Sequence, residues 1–109
     1  MKPLVAVARL VRVHAALAGA ALTLLGARLT GAALPGRDLL LMALAVAWAT
    51  AGGNALNDVQ DCRIDGVNRR DRPIPAGAIG VKAACGIGAG ALLLALLCAA
   101  FVSAWCLAI

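Results

Sequence analysis

Most of the acidic residues of this chain lie in one stretch, NALNDVQDCRIDGVNRRDRPIPAG, which runs from Asn54 to Gly77. The chain has five acidic residues, all aspartates, and four of them fall in this stretch. A helix advances about 100° per residue, so a helix continued through the stretch places five polar side chains within an arc of about 100°. These side chains are Asn54, Asn57, Asp58, Asp61 and Asp65.

Carboxylates held on one face of a helix repel each other, and a bound cation relieves that repulsion. The candidate ligands are all oxygen atoms, which Mg²⁺ and Mn²⁺ prefer. A protein magnesium site commonly shares its ion with a substrate phosphate and with water. The pattern therefore predicts a site for Mg²⁺ or Mn²⁺ on this face.

An arginine-rich segment, NRRDRPIPAG, follows the acidic face. It places Arg69, Arg70 and Arg72 within four positions, and the planar fork of arginine matches the oxygens of a phosphate. Pro73 and Pro75 prevent this segment from continuing as a helix. The acidic face and the arginine-rich segment together are what a diphosphate with an apolar tail requires. The metal ion and the arginines would bind its anionic head, and the apolar helices would accept its tail.

The composition places the rest of the chain in a membrane. The 109 residues are 63% hydrophobic and 14% charged, with a mean hydropathy of +0.95, and a soluble domain of this size needs a more polar surface. A net charge of +5 could indicate nucleic acid, but aromatic residues make up only 3% and no polar, basic domain is present. The sequence therefore predicts a multi-pass integral protein of the cell membrane that does not bind nucleic acid.

Three uncharged runs predict an all-α protein with three transmembrane helices, at about 10–33, 39–65 and 82–109. Pro35 and Gly36 separate the first two helices, and a loop at about 66–80 separates the last two. Abundant glycine and alanine favour close packing of the helices. A secretory signal peptide is the alternative for the first run, but arginines lie far into it and no polar domain follows.

The positions of lysine and arginine predict the orientation. The N-terminal end and the second loop together carry eight of the ten basic residues, and the first loop carries Arg28 and Arg37. Basic residues accumulate on the cytoplasmic side of membrane proteins. The N-terminus and the acidic stretch are therefore expected in the cytoplasm.

Other interpretations of the stretch exist. A loop of mixed aspartate and arginine is commonly a solvated connector with weak salt bridges. An EF-hand loop starting at Asp61 would place Arg72 where a glutamate is needed. The four cysteines form no CxxC pair, and His14 and Cys62 receive no role.

The stretch resembles a known family. NDVQDCRID (57–65) is similar to the NDxxDxxxD motif of the UbiA-type intramembrane prenyltransferases, and NRRDRPIPAG resembles the NRPxRPxxxG segment that follows that motif. LVRVHAALAG, near the start of the chain, also looks like the first helix of that family. Two positions depart from the pattern: Ala15 stands where the family often has asparagine, and Arg70 stands where proline is usual.

The resemblance implies transfer of a prenyl group from a prenyl diphosphate to a hydrophobic lipid or aromatic acceptor, with Mg²⁺ as the cofactor. Asp61 and Asp65 are the implied catalytic residues, and Arg69 and Arg72 would hold the diphosphate. The implied metal ligands are Asn57, Asp58, Asp61 and Asp65. The motif of this chain looks most like the motif of the family members that alkylate geranylgeranylglyceryl phosphate. The related family members of quinone and chlorophyll synthesis are the alternatives.

The chain is much shorter than the members of this family, which have about nine helices and a second Asp-rich motif. No acidic residue follows Asp71. Residues 1–109 are therefore expected to be a partial prenyltransferase domain that is inactive alone. The competing hypothesis is a small, non-enzymatic three-helix membrane protein whose acidic loop binds a cation or a partner.

Overall fold

A computed structural model describes residues 2–31 and 35–102 of the chain. This described part consists of five α-helices joined by turns and contains no β-strand, which confirms the predicted all-α class. The helices are α1 (Pro3–Val11), α2 (Val13–Leu29), α3 (Gly36–Gln60), α4 (Cys62–Asn68) and α5 (Val81–Val102). Residues 32–34 and 103–109, which end the expected first and third helices, lie outside the described residues.

The expected first helix is two helices that meet at a sharp bend. Helix α1 begins at Pro3, where a proline suits the first turn of a helix, and α2 begins at Val13. Between them Arg12 takes a left-handed conformation, with φ 52° and ψ 64°, and the two axes differ by 51°. A left-handed residue other than glycine costs roughly 1 kcal/mol, so contacts from elsewhere in the fold must hold this bend.

The expected second helix, at about 39–65, is also interrupted. Helix α3 starts earlier, at Gly36, and ends at Gln60, and α4 resumes at Cys62. At the junction Asp61 has φ −93° and ψ 3°, which departs from helical values. Its N–H still donates to the Asn57 carbonyl at 2.9 Å, so the interruption is a local kink.

Helices α3 and α5 pack closely because glycines face each other. A Cβ atom on Gly52 would lie 2.9 Å from the Gly88 carbonyl oxygen and 2.8 Å from Leu92 Cγ. A Cβ atom on Gly88 would lie 2.8 Å from the side chain of Leu56. Small residues at such positions let two helix backbones approach.

Two helices, α3 and α5, are long and apolar enough to cross a membrane. Helices α1 and α2 form a third candidate span if the bent pair is taken as a single membrane crossing. The structure therefore supports two to three spans by length and composition.

The buried core lies at the end of the bundle where α3 ends. Its members come from α1, α3, α5 and the segment between α4 and α5, and they are Ala6, Leu10, Ala55, Ile79 and Ala84. Leu10 is fully buried. Within the segment, the Ala78 N–H donates to the Pro73 carbonyl at 2.9 Å, and Gly77 has φ 79°, which glycine adopts readily. The core thus anchors α1 and the arginine-rich segment beside the last turns of α3.

Candidate functional site

Asp58 is the centre of the site. It lies in the last turns of α3 and is 3% exposed. Its Oδ1 atom accepts hydrogen bonds from Arg72 Nη1 at 2.9 Å and from Arg12 Nη2 at 3.1 Å. A buried carboxylate needs such compensation, because it has lost its hydration. Asp58 therefore ties the α1–α2 bend and the arginine-rich segment to α3.

Asp65 is the second buried carboxylate and lies on α4. Its Oδ2 atom is 3.9 Å from Arg72 Nε, a longer and weaker ion pair than the one at Asp58. Arg72 thus bridges the carboxylates of two helices. Of the two arginines expected to hold a diphosphate, Arg72 is already held by protein carboxylates.

Asn57 and Asp61, in contrast, are exposed. Four of the five side chains expected on one face thus divide into an exposed pair and the buried pair of Asp58 and Asp65, and Asn54 is half-buried. The division arises because α1 and the arginine-rich segment cover one side of the acidic face and leave the other open. Within residues 2–31 and 35–102, no group of three His, Cys, Asp or Glu side chains could hold one metal ion.

A cavity of about 340 Å³ lies between the exposed Asp61 and the buried Asp65. Its lining residues are Asp61, Ile64, Asp65, Asn68 and Arg69. Magnesium is usually bound through one or two carboxylates together with substrate phosphates and water. We call this the carboxylate cavity, after Asp61 and Asp65. Its two carboxylates fit a magnesium ion that is also bound by a phosphate, and they are too few to surround the ion without such a ligand.

A second cavity, of about 480 Å³, lies on the side of α1. Four arginines and two aspartates line this arginine cavity together with His14 and Pro73. The six charged residues are Arg9, Arg12, Arg69, Arg72, Asp58 and Asp71. The excess of positive charge suits an anion, and Arg69 lines both cavities.

The sequence interpretation missed Arg9 and Arg12 as site residues, because basic residues near the end of a membrane helix normally report orientation. In the structure both line the arginine cavity, and Arg9 Nη2 is 3.3 Å from Asp71 Oδ2. The resemblance of LVRVHAALAG to the first helix of a prenyltransferase was the available signal. Arg70, at the position that departs from the motif, donates from Nε to the Gly66 carbonyl of the preceding helix, α4, at 3.1 Å.

Comparison with known proteins gives consistent matches. The model of the UbiA prenyltransferase family matches residues 15–109. A digeranylgeranylglyceryl phosphate synthase from Methanoculleus marisnigri is 41% identical over 102 residues, which are 93% of this chain and 36% of that protein. One from Methanothrix thermoacetophila is 42% identical over 94 residues, which are 85% of this chain and 35% of that protein.

A solved structure gives the same match. It comes from work on digeranylgeranylglyceryl phosphate synthase in membranes and aligns with a TM-score of 0.82 at 29% identity, covering 96% of this chain and 38% of that one. The chain thus spans about a third of the length of these relatives. The matches confirm the resemblance seen in the motifs: the chain belongs to the UbiA prenyltransferase family.

Proposed function

We propose that the chain forms the first part of a prenyltransferase domain that transfers a prenyl group from a prenyl diphosphate to a lipid acceptor with the help of Mg²⁺. One observation carries the proposal. At one end of apolar helices, a carboxylate cavity and an arginine cavity lie side by side, with Arg69 lining both. A substrate with an anionic head and an apolar tail would meet both environments.

The carboxylate cavity is the proposed place for the metal-bound diphosphate. Asp61 and Asp65 are the two ligands whose surroundings fit the ion, and Asn57 lies one turn before Asp61 on the exposed side. Both arginine bonds of Asp58 are made by Oδ1, so Oδ2 is the atom through which Asp58 would join this ligand set. When bound, Mg²⁺ would stabilise the negative charge that builds on the leaving diphosphate.

Arg69 and Arg72 would hold the diphosphate on the side away from the metal ion. Arg69 lines both cavities and is exposed, so its fork is available to diphosphate oxygens. Arg72 is fixed by Asp58 and Asp65, so it would present its charge in one orientation. A charge that is already oriented stabilises a transition state without further rearrangement.

The arginine cavity leads us to propose an acceptor with a phosphate head group. The relatives are named for the synthesis of digeranylgeranylglyceryl phosphate, and geranylgeranylglyceryl phosphate is the corresponding acceptor. The four arginines of the cavity exceed its two aspartates, so charge remains for an additional anion. An uncharged aromatic acceptor would make no use of this excess.

We further propose that α1 and α2 together form one of three spans, with the N-terminus and the site in the cytoplasm. The bend at Arg12 lies at the same end of the bundle as the site, where most of the basic residues are found. This arrangement follows the usual accumulation of positive charge on the cytoplasmic side.

The test is Mg²⁺-dependent binding of geranylgeranyl diphosphate to the full-length gene product in detergent. We expect Asp61→Ala to weaken binding at least about tenfold, which is roughly 1.4 kcal/mol. Asp38→Ala is the matched control, because Asp38 lies in the first turn of the same helix, at its opposite end. Binding that is absent, independent of Mg²⁺ or unchanged in Asp61→Ala would contradict the proposal and favour the non-enzymatic alternative.

A further inference from the structure

The bend between α1 and α2 deprives the Val11 carbonyl of its helical partner. In a continuous α-helix that carbonyl accepts a hydrogen bond from the N–H four residues later, at Ala15. Here the Ala15 N–H donates to the Arg12 carbonyl instead, at 2.9 Å. Asn54 Nδ2, which comes from α3, donates to the Val11 carbonyl at 3.0 Å. A side chain from another helix therefore completes the hydrogen bonding of the bend.

The conformation of Arg12 needs this help. A left-handed residue with a large side chain persists only where the surrounding structure holds it. Two side chains of α3, one turn apart, do so: Asn54 bonds the carbonyl that precedes Arg12, and Asp58 accepts from the Arg12 guanidinium at 3.1 Å. The backbone of the bend and the side chain at its apex are thus fixed from the same helix face.

We propose that Asn54 is a positioning residue for anion binding, which acts by keeping Arg12 in the arginine cavity. This role rests on the proposed function, because the anions concerned are the phosphate groups of its substrates. Without the Asn54 amide, the part-buried Val11 carbonyl loses a partner, and an uninterrupted helix that pairs it with Ala15 becomes more favourable. An uninterrupted helix changes the direction of the Arg12 side chain and withdraws its charge from the cavity.

Backbone hydrogen exchange tests the structural step without any ligand. In Asn54→Leu the side chain keeps a similar size and loses its donor. We expect the amides of Val13 and His14 to exchange more slowly in this variant, because an uninterrupted helix pairs them with the carbonyls of Arg9 and Leu10. Thr50→Val is the matched control: Thr50 lies one turn earlier on α3, and its hydroxyl donates to the Val46 carbonyl of its own helix.

A double-mutant cycle tests the functional step. The full-length gene product is titrated with geranylgeranyl diphosphate, and separately with inorganic diphosphate, in the presence of Mg²⁺. We expect Asn54→Leu to raise the Kd about fivefold, the size of a typical coupling between contacting residues. Arg12→Gly removes the guanidinium and still permits the left-handed backbone. In that background Asn54→Leu should change the Kd less than about twofold, since its effect passes through Arg12.

The outcomes separate this role from the proposed function. Slower exchange at the bend in Asn54→Leu, with a loss of affinity that disappears in the Arg12→Gly background, would support the role. Unchanged exchange, or an equal loss of affinity in both backgrounds, would overturn it while the proposed function stands. A wild-type protein that binds neither diphosphate would overturn the proposed function and this role together.

Discussion

Arg72 donates a hydrogen bond of 2.9 Å to Asp58, a carboxylate that is 3% exposed and lies 14 residues earlier in the chain. The same guanidinium is 3.9 Å from Asp65 on the next helix. One arginine from an irregular segment therefore connects the two helices that carry the acidic motif. The geometry of the motif depends on a residue that lies outside it.

Removing Arg72 should destabilise the protein. In Arg72→Ala, Asp58 keeps only Arg12 as a partner, and Asp65 loses its ion pair with the guanidinium. Breaking a buried ion pair from one side typically costs about 3–5 kcal/mol. We expect a loss near the lower end, about 3 kcal/mol, because Arg12 remains at Asp58. Thermal unfolding in detergent measures it. Arg70→Ala is the matched control, and an equal loss in that variant would contradict the structural role of Arg72.

Removing the charge of Asp58 should strengthen the binding of anions that carry no metal. Asp58→Asn keeps the shape of the side chain and gives up the charge that opposes the four arginines of the cavity. We expect the affinity for inorganic diphosphate without Mg²⁺ to rise about fivefold, roughly 1 kcal/mol. Calorimetric titration with and without Mg²⁺ measures it. If binding is instead lost only in the presence of Mg²⁺, Asp58 is a metal ligand rather than a holder of arginines.

Filling the contact between α3 and α5 should be costly. In Gly52→Ala the new methyl group would lie 2.9 Å from a backbone oxygen of Gly88, so the helices must separate, and overpacking of this kind costs about 1–3 kcal/mol. The adjacent Gly53 has nothing within 4 Å of an added Cβ, so Gly53→Ala should be neutral or stabilising by up to about 1 kcal/mol. Thermal unfolding of the two variants compares them directly. Equal melting temperatures would show that the close approach is absent.

Removing Arg9 should affect anion binding more than stability. Its ion pair with Asp71 is largely exposed, and exposed pairs contribute less than about 1 kcal/mol. Arg9 also lines the arginine cavity, so Arg9→Gln should weaken the binding of a phosphate-bearing acceptor lipid and reduce the dependence of that binding on salt. Acceptor affinity is measured at two salt concentrations beside the melting temperature. A large fall in melting temperature with unchanged acceptor affinity would contradict this assignment.

Part of the fold followed from local patterns. The uncharged run that starts at Leu39 indicated α3, and the run that starts at Ala83 indicated α5, because a membrane span needs only length and apolar side chains. The bend at Arg12 had no local signal, since neither glycine nor proline lies near it. The Val11 carbonyl at the bend is bonded by Asn54, which is 43 residues further along the chain, and such a contact cannot be seen in a hydrophobic pattern.

The candidate site shows the same limit. Helical periodicity grouped the aspartates and asparagines, but it assumed one regular helix and could not detect the kink at Asp61. It also could not divide the group, because the burial of Asp58 and Asp65 depends on what packs over them. Arg9 and Arg12 were explained by orientation alone, although Arg12 contacts the central carboxylate of the site.

The separation of 46 residues between Arg12 and Asp58 has a consequence for synthesis. A ribosome adds about 5–20 residues per second, so Arg12 is made roughly 2–9 s before the carboxylate that will bind it. If the N-terminus is cytoplasmic, as proposed, its charge is available during that interval to retain the start of the chain on that side while the first helices insert. With that orientation, the same guanidinium would act twice in succession, first as a signal during membrane insertion and later as part of the finished site.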